Sequence, residues 1–279
     1  METLTGKTVF ITGAASGIGF GMARAFAEQG MNVALADIEK ERLAQAAGEL
    51  ISSGARAMSV PLDVTDREAL HRAAVDTESA FGKIHMVCAN AGVGGRIGPL
   101  DEAADADWDW VLDVNLKGVV NTVQAFLPYI KRHDEGGHVT ITSSMSGIRV
   151  FRPSRGQGIY NTAKFALMGF GEALAVDLEP QGIGVSILCP GFVDTFISAS
   201  GRNRPARYGG PFDSLKPAVL PAPGSGGTDP LTYGRWVVQA VRENRLFVIT
   251  HTGERHMVEQ RHQQLMEAFD RAPELTGKN

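Results

Sequence analysis

Apolar residues in this chain come in two alternating rhythms. Short runs rich in β-branched residues, "TVFITG", "NVALAD", "AMSVPLD", "HMVCANAG", "HVTITSS", "GVSILCPG" and "RLFVIT", read as buried strands. Between them lie stretches with apolar residues at helical spacing, over 18–29, 39–53, 66–81, 105–132 and 158–179, and in "LTYGRWVVQAVREN" before the last strand. Seven strands joined by six helical connections predict right-handed βαβ units and an α/β, doubly wound (Rossmann) parallel sheet with helices on both faces. No linker or shift of composition divides residues 1–279, so a single domain is expected.

Two segments depart from the rhythm. Residues 197–230 are rich in Gly, Pro and Ser and follow the sixth strand at its C-terminal end, where open α/β sheets bind ligands, so this is the candidate substrate loop. In the tail, 254–271, Met257, Val258, Leu265, Met266 and Phe269 form a helical stripe suited to packing on the body or on a neighbouring subunit. His251, His256 and His262 also lie there, but no two are spaced i, i+4, so no metal site is expected.

Composition narrows the function. With 43% hydrophobic and 21% charged residues and a net charge of −4, nothing suggests nucleic-acid binding, and small-molecule chemistry becomes the expectation. The 33 glycines imply many tight turns and close backbone approaches. Cys88 and Cys189 lie in separate apolar runs with no disulfide or metal spacing, which fits a reducing compartment. The start "METLTGKTVFITG" has no signal-peptide pattern and no apolar run is long enough to span a bilayer, so a cytoplasmic protein is expected.

The first strand runs into "ITGAASGIGFG", which places Gly13, Gly17 and Gly19 where the chain turns into a helix. Glycine lets backbone approach a pyrophosphate, whose charge is met by the free N–H groups and the positive end of the helix. Asp37 ends the second strand, placed to accept hydrogen bonds from the adenosine ribose hydroxyls; it is alternatively an N-cap for the helix beginning at Glu39. A 2′-phosphate beside its carboxylate would meet a repulsion of about 4 kcal/mol, which favours NAD over NADP. Ser16, not Arg or Lys, precedes the second glycine, so the turn supplies no offsetting cation.

Tyr160 and Lys164 in "GIYNTAKFA" fall on one helix face. Bringing a phenol from its ordinary pKa to neutrality takes about 4 kcal/mol, and a cation about 4 Å away supplies energy of that order. Tyr160 is thus a candidate general base, with an ordinary surface pair as the alternative.

The company of that pair makes the chain resemble the short-chain dehydrogenase/reductase family. From about residue 5 to 252 the motifs "TGAASGIG", "LDV", "NAG", "ITSS" with "YNTAK", and "PGFVDT" occur in the family's order. The resemblance implies a hydride transfer between a secondary alcohol or ketone and NAD. Tyr160 would exchange the proton, Lys164 would lower its pKa and bind the nicotinamide ribose, Ser144 would bond the substrate oxygen, and Asn115 would hold a proton-relaying water. The glycine turn with Ser16 and Ile18, Asp37 with Ile38, and Asp63 with Val64 would hold the adenosine and pyrophosphate. Asn90, Ala91 and Gly92 would line the inner ribose, and Pro190, Gly191, Val193 and Thr195 the nicotinamide. The family also implies a homodimer or homotetramer paired through helices 105–132 and 158–179.

Ser144 stands three residues farther from Tyr160 than the family's serine usually does, which leaves Ser143, Ser144 and Ser146 as candidates. Ser144 is preferred because it ends the strand and keeps Gly147 three places on. The extra residues then fall within "IRVFRPSRGQG", bordering the substrate, with Val150, Phe151 and Phe192 as apolar walls. "SGRNRP" and "GIGFG" are similar to the bacterial aryl-ether Cα-dehydrogenase subgroup, which suggests a bulky aromatic or alicyclic alcohol. The competing readings are an NAD-sensing module without chemistry and an epimerase or dehydratase on the same fold.

Overall fold

The computed structural model describes residues 1, 3–151, 156–193, 195–213 and 228–272. Seven strands form one parallel sheet: β1 (Thr8–Thr12), β2 (Asn32–Asp37), β3 (Ala57–Pro61), β4 (Met86–Ala89), β5 (Gly137–Thr142), β6 (Ile183–Cys189) and β7 (Phe247–Ile249). Their order is β3-β2-β1-β4-β5-β6-β7. The chain winds outward from β1 to β3, returns to β4 and winds the other way. The switch point between β1 and β4 opens a crevice at the C-terminal strand ends.

The central strands are buried on both faces, which is why they read as continuous apolar runs. Val9 and Ile11 face a layer made by Met22 and Phe26 of α1 (Gly17–Glu28) and by Val237 and Val241 of α7 (Pro230–Glu243). Between them, Phe10 points to the opposite layer and stacks on Phe126 of α5 (Gly118–Lys131), with ring centroids 3.9 Å apart. Burying one such side chain contributes about 1.5–3 kcal/mol. On the first layer α1 and α7 touch backbone to backbone: a Cβ on Gly21 would meet the Pro230 carbonyl, and one on Gly234 the Gly21 carbonyl. On the other lie α3 (Arg67–Phe81) and α6 (Gly158–Leu178), while α2 (Lys40–Ser52) flanks β2.

Two expectations gain detail. The helix over 105–132 is present but not uniform: α4 (Asp105–Leu112) passes without a break through a π turn, Asp113–Lys117, into α5. A π turn inserts one residue and re-aims side chains. Here it carries Asn115, fully buried, against the segment after β4. The tail forms α8 (Arg255–Asp270), but none of its residues is buried, and Leu265, Met266 and Phe269 stay exposed. The body half-covers Met257 and Val258 and leaves the far end of the stripe open. No helix among the described residues is long and apolar enough to cross a membrane.

Candidate functional site

A cleft with two lobes lies over the C-terminal ends of the strands. The lobes share Ile18, Tyr160, Pro190, Thr195 and Ile197, so they adjoin around Tyr160.

The first lobe is built largely from backbone. Gly13 and Gly17 have φ of 66° and 55°, which only glycine adopts without strain. A Cβ on Gly19 would strike the Gly13 carbonyl and stand 2.7 Å from Asn90 Nδ2. Ser16 is the N-cap in extended conformation with no side-chain cap bond, and the first turn of α1 holds no acidic residue. The helix end is therefore free to meet an anion. Asn90 ties three strand ends together: its amide donates to the Thr12 carbonyl at 2.9 Å and accepts from Thr142 Oγ1 at 3.0 Å. It lines the lobe with both ends of its amide engaged by protein, which braces those strand ends.

Asp37 accepts from the backbone N–H of Ala15 and of Glu39, each at 3.0 Å. Burial raises its pKa, and those two bonds oppose the rise. The cap of α2 is Glu39, so Asp37 does not cap that helix itself but holds the residue before it and the glycine turn together. Asp63 accepts from Thr65 N–H at 2.9 Å. A Cβ on Gly92 would come within 3.2 Å of Asn115 Oδ1 and 3.7 Å of Lys164 Nζ. Of the residues expected to hold a dinucleotide, all but Gly191 and Val193 line this lobe.

Those two belong to the second lobe. A Cβ on Gly191 would strike the His251 ring, and Val193 forms a bridge with Thr228. Gly191 is small because another side chain packs there.

Tyr160 and Lys164 sit one turn apart on α6. Lys164 is buried, its Nζ donates to the Thr142 carbonyl at 2.8 Å, and that nitrogen lies 5.5 Å from the Tyr160 ring centre. Burial pushes the lysine down to about 8 and the phenol up to about 12. A hydrogen bond from Ser144 opposes the rise of the phenol. Thr142 takes the ammonium, so the cation is turned toward a strand end and the inner part of the first lobe.

The three serines separate cleanly. Ser143 donates to the Lys164 carbonyl at 2.8 Å, in a space left open by Gly147. Ser144 caps the single turn Met145–Gly147, accepts from Ser146 N–H at 3.0 Å, and faces Tyr160. Ser146 lines the second lobe without that contact. The side chain of Asn115 accepts from Val93 N–H at 2.7 Å and donates to the Val93 carbonyl at 2.8 Å, which fixes the strand-end loop and leaves one amide hydrogen and one lone pair of Oδ1 unassigned.

The second lobe is walled by Phe151, Phe192, Met145 and Ile197. Val150 is 48% exposed and lines neither lobe, which corrects its assignment as a wall. The inserted residues do border this lobe, through Arg149, Phe151 and Gln157; residues 152–155 lie outside the described ones. Of the 197–230 loop, residues 214–227 lie outside them too.

The part that is described goes elsewhere than expected. Ile197 and Ser198 touch the second lobe, but the arginine-rich stretch crosses the first. Arg202 and Asn203 both reach Glu39, and Arg207 donates to Asp63 at 3.1 Å and Thr65 at 2.8 Å. Ser200 accepts from Gly94 N–H at 2.9 Å, and Tyr208 donates to Asp113 at 2.7 Å. A cation therefore does stand beside the Asp37 end of the lobe, supplied from far along the chain and already matched by Glu39. The sequence signal was a cluster of arginines between glycines and prolines in 200–208.

Residues 7–206 match the family model for short chain dehydrogenases. The chain is 32% identical over 271 residues to a C alpha-dehydrogenase of Sphingobium sp. strain SYK-6, covering 96% of this chain and 88% of that protein. Among solved structures, a short chain dehydrogenase/reductase from Burkholderia phymatum in complex with NAD superposes with a TM-score of 0.86 at 32% identity, all of each chain being covered. LigO from the same Sphingobium strain, in its apo form, gives a TM-score of 0.80 at 34% identity over 96% of this chain and 91% of its own. A match over most of the chain, in sequence and in fold alike, makes this protein a member of the short-chain dehydrogenase/reductase family, an oxidoreductase with kinship to the Cα-dehydrogenases.

Proposed function

We propose that the protein is an NAD-dependent oxidoreductase that transfers hydride between a bulky secondary alcohol or ketone and the nicotinamide, with Tyr160 exchanging the proton. The observation that carries this is the meeting of the two lobes at Tyr160, one shaped for a dinucleotide and the other for an apolar substrate. When bound, oxidised nicotinamide supplies the hydride acceptor and a positive charge in the cleft.

The chain's own residues do the rest. The glycine turn and the open end of α1 hold the pyrophosphate, and Asp37 accepts from the adenosine ribose hydroxyls. Lys164, whose ammonium lies beside Gly92, would hold the inner ribose. Ser144 and Tyr160 converge on the carbinol oxygen. As the substrate O–H proton moves to Tyr160, Ser144 keeps that oxygen oriented for loss of hydride from its carbon. A phenol raised by burial is a strong base once ionised, so the oxidation direction gains with rising pH and ketone reduction gains as pH falls.

NAD is preferred because Arg202 is engaged by Glu39 and leaves the repulsion between Asp37 and a 2′-phosphate unrelieved. The apolar walls of the second lobe, Phe151 and Phe192 among them, favour a bulky aromatic or alicyclic substrate. The Cα-dehydrogenase kinship supports the same choice. We further expect a homodimer or homotetramer, checked by the mass in solution.

An activity panel tests this reading. Aromatic and alicyclic secondary alcohols should reduce NAD, with NADP at least about 100-fold poorer. Turnover of small linear alcohols alone, or of none, would overturn the bulky-substrate reading; equal use of NADP would overturn the role of Asp37.

A further inference from the structure

The first lobe, elsewhere built from backbone, has one wall of side chains, and that wall comes from the segment expected to serve the substrate. Ser200, Arg202, Asn203, Pro205, Arg207 and Tyr208 line the first lobe, while the second receives only Ile197 and Ser198 from residues 197–208. The course of this segment is fixed from the body. Ser200 accepts from Gly94 N–H, the buried Arg204 donates to Asp107 at 2.6 Å, and Tyr208, in a buried cluster with Trp110 and Val111, donates to Asp113. Between these anchors it meets the chain just past β2, at Glu39, and just past β3, at Asp63.

The bonds at Asp63 show what this wall can do. Oδ1 accepts from the N–H and the hydroxyl of Thr65, at 2.9 and 2.8 Å, and Oδ2 accepts from Arg207 Nη2 at 3.1 Å. An ionised carboxylate accepts about four hydrogen bonds, so the position left open is on the oxygen that Arg207 already holds. A purine whose amino group donates to that oxygen comes to lie beside the guanidinium. Nη2 of Arg207 also donates to Thr65 Oγ1 at 2.8 Å, and its Cζ stands 4.7 Å from the centre of the Tyr208 ring. The side chain nevertheless keeps 53% of its surface exposed. A held, planar cation with open surface is the kind of group that stacks on a ring.

We propose that Arg207 is a cofactor-binding residue whose guanidinium, held beside Asp63, packs against the adenine of the dinucleotide, so that segment 200–208 belongs to the cofactor site. This rests on the dinucleotide reading of the first lobe. The adenine is then gripped between strand ends from the start of the chain and a wall from far along it, and the segment that follows β6 divides its service: its first residues face the substrate lobe and the rest face the cofactor.

The test uses the full chain and two ligands, NAD and ADP-ribose, which shares the adenosine and pyrophosphate but has no nicotinamide. Binding is read by calorimetry and turnover by NADH formation. Arg207→Met should weaken both ligands alike, by roughly 5- to 30-fold, and leave the alcohol KM at saturating NAD unchanged. Arg207→Lys, which keeps the charge and loses the plane, should restore little of that affinity. Unfolding midpoints of both variants without ligand should match wild type, because an exposed ion pair contributes little to stability. Unchanged or tighter ADP-ribose binding in Arg207→Met, full recovery in Arg207→Lys, or a raised alcohol KM with cofactor affinity kept would overturn the assignment. Loss of ADP-ribose affinity in a protein that oxidises no alcohol would uphold it and sink the dehydrogenase reading. Turnover with ADP-ribose affinity untouched by the substitution would do the reverse, and a wild type that binds neither ligand would sink both.

Discussion

The two lobes of the cleft are built by different means. In the first, geometry comes from backbone: positive-φ glycines, a helix end, and a carboxylate held by two N–H groups. In the second it comes from side chains on segments far apart in sequence, such as Arg149 and Glu254 or Phe151 and Phe192. Backbone-built surfaces suit a ligand that stays the same, since a single added methyl disrupts them. Side-chain-built ones change substrate without disturbing the frame. Tyr160, on the first turn of α6 and lining both lobes, is where the constant and the variable part meet.

The contrast can be broken most forcefully at Gly19. Its Cβ has nowhere to go but the Gly13 carbonyl, so Gly19→Ala should cost about 3 kcal/mol or more and weaken NAD binding, measured by denaturant unfolding and by NAD titration. Lys164 comes next. Its folded-state pKa of about 8 lies below the ordinary 10.5, so between those values the unfolded chain binds the extra proton and stability rises with pH. The gain is up to about 3 kcal/mol at about 1.4 kcal/mol per unit, and unfolding curves should show it in the wild type and not in Lys164→Met. The serines sharpen the comparison more finely. Ser144→Ala should lower kcat/KM by about 2 kcal/mol, roughly 30-fold, whereas Ser143→Ala should cost about 1 kcal/mol of stability with turnover nearly kept. Smallest is Val150→Ala, outside both lobes, with an effect under about 0.5 kcal/mol on stability and none on KM.

Much of this could be read before any coordinates. The apolar runs gave every strand, because a sheet covered on both faces leaves no other pattern. The glycine turn and the Tyr160–Lys164 pair were legible because their chemistry is local, within one turn or one helix face. What stayed hidden depends on partners distant in sequence. Glu39 meets Arg202, Asp63 meets Arg207 and Arg149 meets Glu254, and no local period encodes such pairings. The direction of the Lys164 ammonium was equally hidden, since the Thr142 carbonyl that takes it belongs to a neighbouring strand. The π turn escaped for a related reason: Asn115 faces inward to meet Val93, a contact with the segment after β4 that its neighbours in the chain do not announce.

The central claim is that the lobes are joined for chemistry by the Tyr160 hydroxyl, and Tyr160→Phe tests it most directly. Removing one oxygen leaves the ring lining both lobes and leaves the glycine turn untouched. NADH formation from the best alcohol of the panel and NAD affinity are measured on the same preparation. The account predicts turnover lower by about 1,000-fold or more, with the NAD dissociation constant within about twofold of wild type. Turnover kept within about tenfold would contradict it, because the proton would then be passing through another group.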